Sequence, residues 1–206
     1  MPDVRKLSTR QLDALREVAN IGAGHAATAL SQMTDQTIMI SVPRLAVAAV
    51  TDIPHQVSER EEPVVAVRMG MAGDLHGITV LVIPQGSALR LAEMMAHRPA
   101  GDFTTLGAFE QSAIKEAGNI LGSAFLNALA EFMEMTLLPT PPNLSVDVAG
   151  AVLTETSRAS NVSATIAFVI ETEFFLKERQ EPLHGFYFML PDEASLAQIL
   201  KAVRLE

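Results

Sequence analysis

Two short stretches of the chain carry the same polar pattern. The first is Asp13, Glu17 and Asn20 in LDALREVANIGAG; the second is Ser112, Glu116 and Asn119 in QSAIKEAGNILGS. Both read Asp or Ser, three residues, Glu, two residues, Asn, and each Asn is followed at the same interval by a proline, Pro43 or Pro142. On a helix these positions fall at i, i+4 and i+7, a stripe of about two turns or roughly 10 Å. A carboxylate in such a stripe can pair with a cation on another protein. An amide one turn away can donate and accept at once, and so hold a water in one orientation for attack. The pair brings neither a nucleophile nor a phosphate cradle. It is half of a site, suited to insertion beside another protein's reacting group, as GTPases gain hydrolysis from an amide that orients water at a phosphoryl centre. The plain alternative for either copy alone is a solvated helix face. Against it stand the repetition and the divergence between the copies: Gly22 corresponds to Leu121 and His25 to Ala124, while the Glu and Asn positions agree. Asn in a helix interior also has modest propensity and usually has a reason to be there.

Other chemistry finds little support. There is no Cys, which excludes thiol catalysis, disulfides and Cys-ligated metal and fits a reducing cytoplasm. His25, His55, His76, His97 and His184 are dispersed without ligand spacing, so no metal site is expected. Gly22-x-Gly24-x-x-Ala27 formally resembles a dinucleotide fingerprint. That motif requires a strand before the glycines and a helix opening on them, whereas a helical pattern precedes these. Glu61 and Glu62 sit in a charged stretch that reads as a solvated loop. A net charge of −9 argues against nucleic acid or anionic membrane as partner and suits a basic protein surface. With no Trp and one Tyr, base stacking is not expected. The polar N-terminus lacks the apolar core of a signal peptide, and the longest apolar runs have strand length rather than span length, so we expect a cytoplasmic protein that does not insert in a membrane.

The elements that would carry the stripes follow from periodicity. Ser8 or Thr9 should cap a helix starting near Gln11, with Leu12, Leu15, Ala19, Ala26, Leu30 and Met33 as its apolar face. Gly22 and Gly24 within it imply a kink or close packing on a sheet. Residues 37–42 and 45–50 read as one strand broken at Pro43, at an edge or bend. A charged loop (52–63), strands 64–71 and 76–83, a helix over 87–97 and a linker (98–105) complete the first half. The order then restarts. A helix over 108–133 has Phe109, Ile114, Ile120, Leu121, Phe125 and Leu129 as its apolar face. Extended pieces 136–138 and 144–152 flank Pro139, Pro141 and Pro142. Strand 164–172, a charged extension (174–182), strand 184–190 and a closing helix (193–203) follow.

The halves coincide residue by residue near the motifs, as in Ala14 and Ala113, Ile21 and Ile120, Leu30 and Leu129, Leu45 and Leu144; later Leu75-His76-Gly77 matches Leu183-His184-Gly185. The expectation is one α+β domain over 1–206 with pseudo-twofold repeats at roughly 8–98 and 106–204, sharing a continuous core around a mostly antiparallel sheet.

The sequence resembles the CheC/CheX/FliY family of bacterial chemotaxis phosphatases, most of all its CheC type. The family pattern is Asp/Ser-x3-Glu-x2-Asn-x22-Pro, which CheC-type members carry twice. Asp13, Glu17, Asn20 and Pro43 match every fixed position, as do Ser112, Glu116, Asn119 and Pro142, and ANIGAG is similar to the family's first helix. The resemblance covers essentially the whole chain. It implies a hydrolase of two-component signalling, acting on the aspartyl phosphate of a CheY-type response regulator. Glu17 and Glu116 would bind the receiver's lysine, and Asn20 and Asn119 would orient the attacking water. Asp13, Ser112, Pro43 and Pro142 would be supporting positions. No cofactor would be bound by this chain; any Mg2+ would be held by the receiver. The resemblance also implies CheD as a second partner, and an alternative role as a regulatory binding protein for CheD or a phosphorylated receiver with little catalysis. Lack of the C-terminal domain typical of FliY would make it a free cytosolic protein.

Overall fold

The computed structural model describes residues 7–53, 62–159, 166–176 and 182–203. Helix α1 (Thr9–Thr34) starts in a reciprocal cap: the Gln11 backbone N–H donates to Ser8 Oγ at 3.3 Å and the Ser8 N–H donates to Gln11 Oε1 at 2.9 Å. It runs unbroken through Gly22 and Gly24 and ends at Asp35 in the left-handed region, φ 46°. Strands β1 (Ile38–Ser41) and β2 (Leu45–Ala49) follow on either side of Pro43. Then come β3 (Pro63–Gly73), β4 (Gly77–Pro84) and α2 (Gln85–Met95). The second half contains α3 (Ala108–Met133), β5 (Leu137–Pro139), β6 (Asn143–Val148), α4 (Ala149–Ala159), β7 (Ile166–Leu176), β8 (Leu183–Pro191) and α5 (Glu193–Ala202).

The strands form one antiparallel sheet in the order β1/β2, β7, β8, β4, β3, β5/β6. Exchanging the two halves maps this order onto itself, with β4 and β8 paired across the pseudo-twofold, Val80 opposite Phe188. Each broken strand lies at an edge, where its proline leaves no inner ladder bond unmade. It pairs with the other half's strand: β2 with β7, Leu45 opposite Ile170, and β6 with β3, Leu144 opposite Val67. Neither half therefore completes a sheet by itself.

Both faces of the sheet are covered, which explains why its inner strands are apolar nearly throughout. Val65, Val67, Leu81 and Ile83 face one way and pack with Ala19, Ala23 and Leu30 of α1 and Ile114, Leu121 and Phe125 of α3. The alternating set Val64, Ala66, Val80 and Val82 packs with Ala149 and Val152 of α4. Among the described residues, no helix is long and apolar enough to cross a membrane.

Some expectations are corrected. The extended piece expected over 144–152 ends at Val148, and α4 follows. Its Ala149, Val152 and Thr156 are buried at i, i+3 and i+7, and Thr156 donates to the Val152 carbonyl at 2.7 Å. The first half has only a 3-10 turn there, Val50–Asp52. Phe109 and Met33, expected on apolar faces, are 59% and 45% exposed. The partner of Gly22 is another helix, not the sheet. Strand β7 extends to Leu176, into the stretch expected as a charged extension. Most of the expected loop at 52–63, and the remainder of that extension up to 181, lie outside the described residues.

Candidate functional site

Which side of α1 faces outward is settled by its buried face. Leu15, Val18, Ala19, Gly22, Ala23 and Ala26 are buried, leaving Asp13, Glu17 and Asn20 exposed along the opposite side. On α3, Ile114, Ala117, Gly118 and Leu121 are buried; Ser112 and Glu116 are exposed and Asn119 is half-buried. The i, i+4, i+7 spacing thus brings the three members of each motif onto one outer face.

Two glycines set the height of these faces. A Cβ on Gly22 would lie 2.6 Å from Phe125 Cδ1 and 2.9 Å from its Cα, so α1 and α3 touch almost backbone to backbone there. A Cβ on Gly118 would lie 2.7 Å from Val67 Cγ1, so α3 rests directly on β3 at the residue before Asn119. Leu15 and Val18 line one small apolar cavity with Leu126 and Leu129. Early residues of α1 therefore lie beside late residues of α3, and the pair runs antiparallel. With Gly22 opposite Phe125, Glu17 and Glu116 stand about 20 Å apart along the pair at 1.5 Å per residue. The structure brings each motif together but keeps the two motifs apart, as separate centres.

The prolines occupy matching places in the broken strands, and each break is held differently. Arg16, beside Glu17 on α1, donates from Nε to the Val42 carbonyl at 3.2 Å, tying the residue before Pro43 to the motif helix. In the second half Thr140 performs the anchoring: Gly70 N–H donates to Thr140 Oγ1 at 2.7 Å and Thr140 N–H donates to the Gly70 carbonyl at 2.9 Å. Pro43 is exposed and Pro142 half-buried.

Sequence reasoning missed Glu93. Its side chain is fully buried at the end of α2, where Arg90 Nη1 donates to both carboxylate oxygens at 3.0 and 2.9 Å and the N–H groups of Gly101 and Phe103 donate at 2.8 and 2.9 Å. Burial by itself raises the carboxyl's pKa, but the bonds from Phe103, Arg90 and Gly101 outweigh it and hold the group below its ordinary value. Glu93 thereby fixes the linker into α3, where Phe103 meets Phe109 edge-on at 6.0 Å. The available signal was Arg90 at i−3 on a helix otherwise apolar at that position.

Among the described residues, the side chains of Glu17, Asn20, Glu116 and Asn119 have no hydrogen-bond or ion-pair partner. Also among them, no three of His, Asp and Glu are grouped so as to hold a metal ion. The cavity beneath α1 and α3 measures ≈ 30 Å³ and is lined by Leu15, Phe125, Tyr187 and other largely apolar groups, far too small for a nucleotide. The glycines of the formal dinucleotide pattern lie inside α1, not at its start. What remains is two outward faces, each offering a free carboxylate and a free amide.

Comparison with known proteins agrees with the duplication. The model of the CheC-like family matches residues 11–47 and 109–146, and each window holds one whole motif with its proline. The CheY-P phosphatase CheC of Bacillus subtilis (strain 168) is 32% identical over 199 residues, covering 96% of this chain and 95% of that protein. The flagellar motor switch phosphatase FliY of the same organism is 30% identical over 149 residues, 71% of this chain but 38% of that protein. Among solved structures, the crystal structure of Thermotoga maritima FliY superposes with a TM-score of 0.80 at 20% identity, covering 97% of this chain and 98% of that one. That likeness concerns the fold.

Proposed function

The chain belongs to the CheC-like family, and on that premise we propose that it is a phosphatase for the aspartyl phosphate of a CheY-type receiver. The observation that carries this reading is an unpartnered Glu and Asn on each of two outward helix faces, Glu17, Asn20 and Glu116 exposed and Asn119 half-buried. The similarity to a protein named CheY-P phosphatase supports it.

In this reading, Glu17 or Glu116 pairs with a lysine at the receiver's phosphorylation site and sets the docking distance. Asn20 or Asn119 then reaches the phosphoryl group, its amide oxygen accepting from the attacking water and its NH2 free to donate to a phosphoryl oxygen. The water oxygen bonds to phosphorus as the bond from phosphorus to the aspartyl oxygen breaks. The aspartate leaves as a carboxylate, and the water's proton departs on inorganic phosphate or to solvent. The carboxylate is a good leaving group, so orientation and charge placement are what the phosphatase needs to add. Any Mg2+ belongs to the receiver's acidic pocket. With the Glu positions about 20 Å apart, each centre engages its own receiver. Gly22, Gly118, Arg16 and Thr140 act by positioning the helices and the proline-bearing breaks.

The test is phosphate release from a phosphorylated receiver, with and without the chain and its Asn20→Ala and Asn119→Ala variants. Acceleration that depends on both amides supports the reading. Receiver binding without added release would replace catalysis by docking.

A further inference from the structure

Gly24 follows Asn20 by one turn on the same outward face, and its surroundings differ from those of the other glycines in the two long helices. Gly22, Gly118 and Gly122 are each explained by a contact inside the chain: with Phe125, Val67 and Met69. A Cβ on Gly24 would meet nothing within 4 Å. Gly86 and Gly150 are also open, but they lie in the first turns of α2 and α4, where glycine disturbs a helix least. Gly24 is in the middle of the 26-residue α1, where it weakens the helix relative to alanine. Among the described residues no contact requires a glycine there: Thr28 Oγ1 donates to the Gly24 carbonyl at 3.0 Å, a bond that any residue could accept. Beside it Ile21, also between Glu17 and Gly24 on the helix surface, is 45% exposed. The second centre is built differently: Ile120 and Ser123 occupy the equivalent positions, and both are half-buried.

We propose that Gly24 is a contact element of the first centre: the receiver lies directly on the bare helix backbone at Gly24, with Ile21 as the apolar contact beside it. The missing side chain lets the partner approach closely enough for Asn20 to reach the phosphoryl group. The second centre, with Ser123 in place of the glycine, meets its receiver at a greater separation, so the two centres differ in affinity for the same receiver. This inference rests on the function proposed above.

The test uses the full chain carrying Asn119→Ala, so that the first centre alone acts, and follows phosphate release against the concentration of phosphorylated receiver. Adding Gly24→Ala is expected to raise the thermal midpoint by about 2–4 °C, because the helix improves. It is expected to lower kcat/KM about tenfold through KM, with kcat little changed. Binding of the beryllofluoride-activated receiver should weaken by the same factor. Gly86→Ala, in the same background, should stabilise without changing kcat/KM. A raised midpoint with unchanged kcat/KM and binding overturns the proposal, as does a lowered midpoint or an equal loss in Gly86→Ala. If the Asn119→Ala chain is inert while the intact chain accelerates release, the first centre does not act and the proposal fails alone. If the intact chain is inert, the proposed phosphatase function fails with it.

Discussion

Gly22 and Phe125 are in contact so close that a side-chain carbon on the glycine would stand 2.9 Å from the phenylalanine Cα. The neighbouring Ala124 carbonyl oxygen would be 3.2 Å away. Backbone atoms cannot rotate aside, so Gly22→Ala must push α1 and α3 apart. We expect a loss of about 1–3 kcal/mol in urea unfolding, despite the gain in helix propensity. Because the two motif helices are separated together, release at both centres should fall. An unchanged unfolding midpoint would contradict the close packing.

Glu93 gives a prediction about acid. Its carboxyl is buried, accepts four hydrogen bonds and titrates below its ordinary value of 4.5. The folded chain thus binds this proton less readily than the unfolded chain. The contribution to stability is complete well above pH 4.5 and is lost as pH falls through that value toward the folded pKa. Glu93→Gln should cost about 2 kcal/mol at pH 7, because one acceptor is lost and buried donors go unmet. It should also flatten the acid limb of a plot of stability against pH. Urea titrations from pH 7 to pH 3 measure both, and parallel acid limbs for the two proteins would count against the assignment.

The exposed carboxylates predict a dependence on salt. If Glu17 meets a lysine on the receiver, Glu17→Gln in the Asn119→Ala background should raise KM by about tenfold and reduce the sensitivity of KM to ionic strength. Glu116→Gln should do the same for the second centre in the Asn20→Ala background. Steady-state kinetics at two salt concentrations separate this from a helix defect, which would leave the salt dependence intact.

How far the sequence could be read depended on the range of each interaction. Helix α3 lies at 108–133 as its periodicity indicates, and spacing alone placed Asp13, Glu17 and Asn20 on one face. Those are local properties of a 3.6-residue repeat. The exchange of β2 and β6 between halves was not legible, because equivalent strands of a repeat can pair within it or across it. Helix α4 was hidden because Val152 and Thr154 suit a strand as well as a helix. The outward face of each motif was legible as residue types and spacing. Its supports were not: that Gly118 rests on Val67, or that Glu93 gathers the linker from Gly101 to Phe103, depends on contacts between distant segments.

The central claim is that the two amides serve separate centres, each of which accelerates release without the other. Its most direct measurement is the rate of phosphate release from a phosphorylated CheY-type receiver with Asn20→Ala, Asn119→Ala and the double variant, each checked for an unchanged unfolding midpoint. We predict that each single variant retains part of the acceleration. The double variant should lose about 10²–10³ of rate, toward the receiver's own hydrolysis. A folded double variant that releases phosphate at the rate of the unaltered chain would contradict the account.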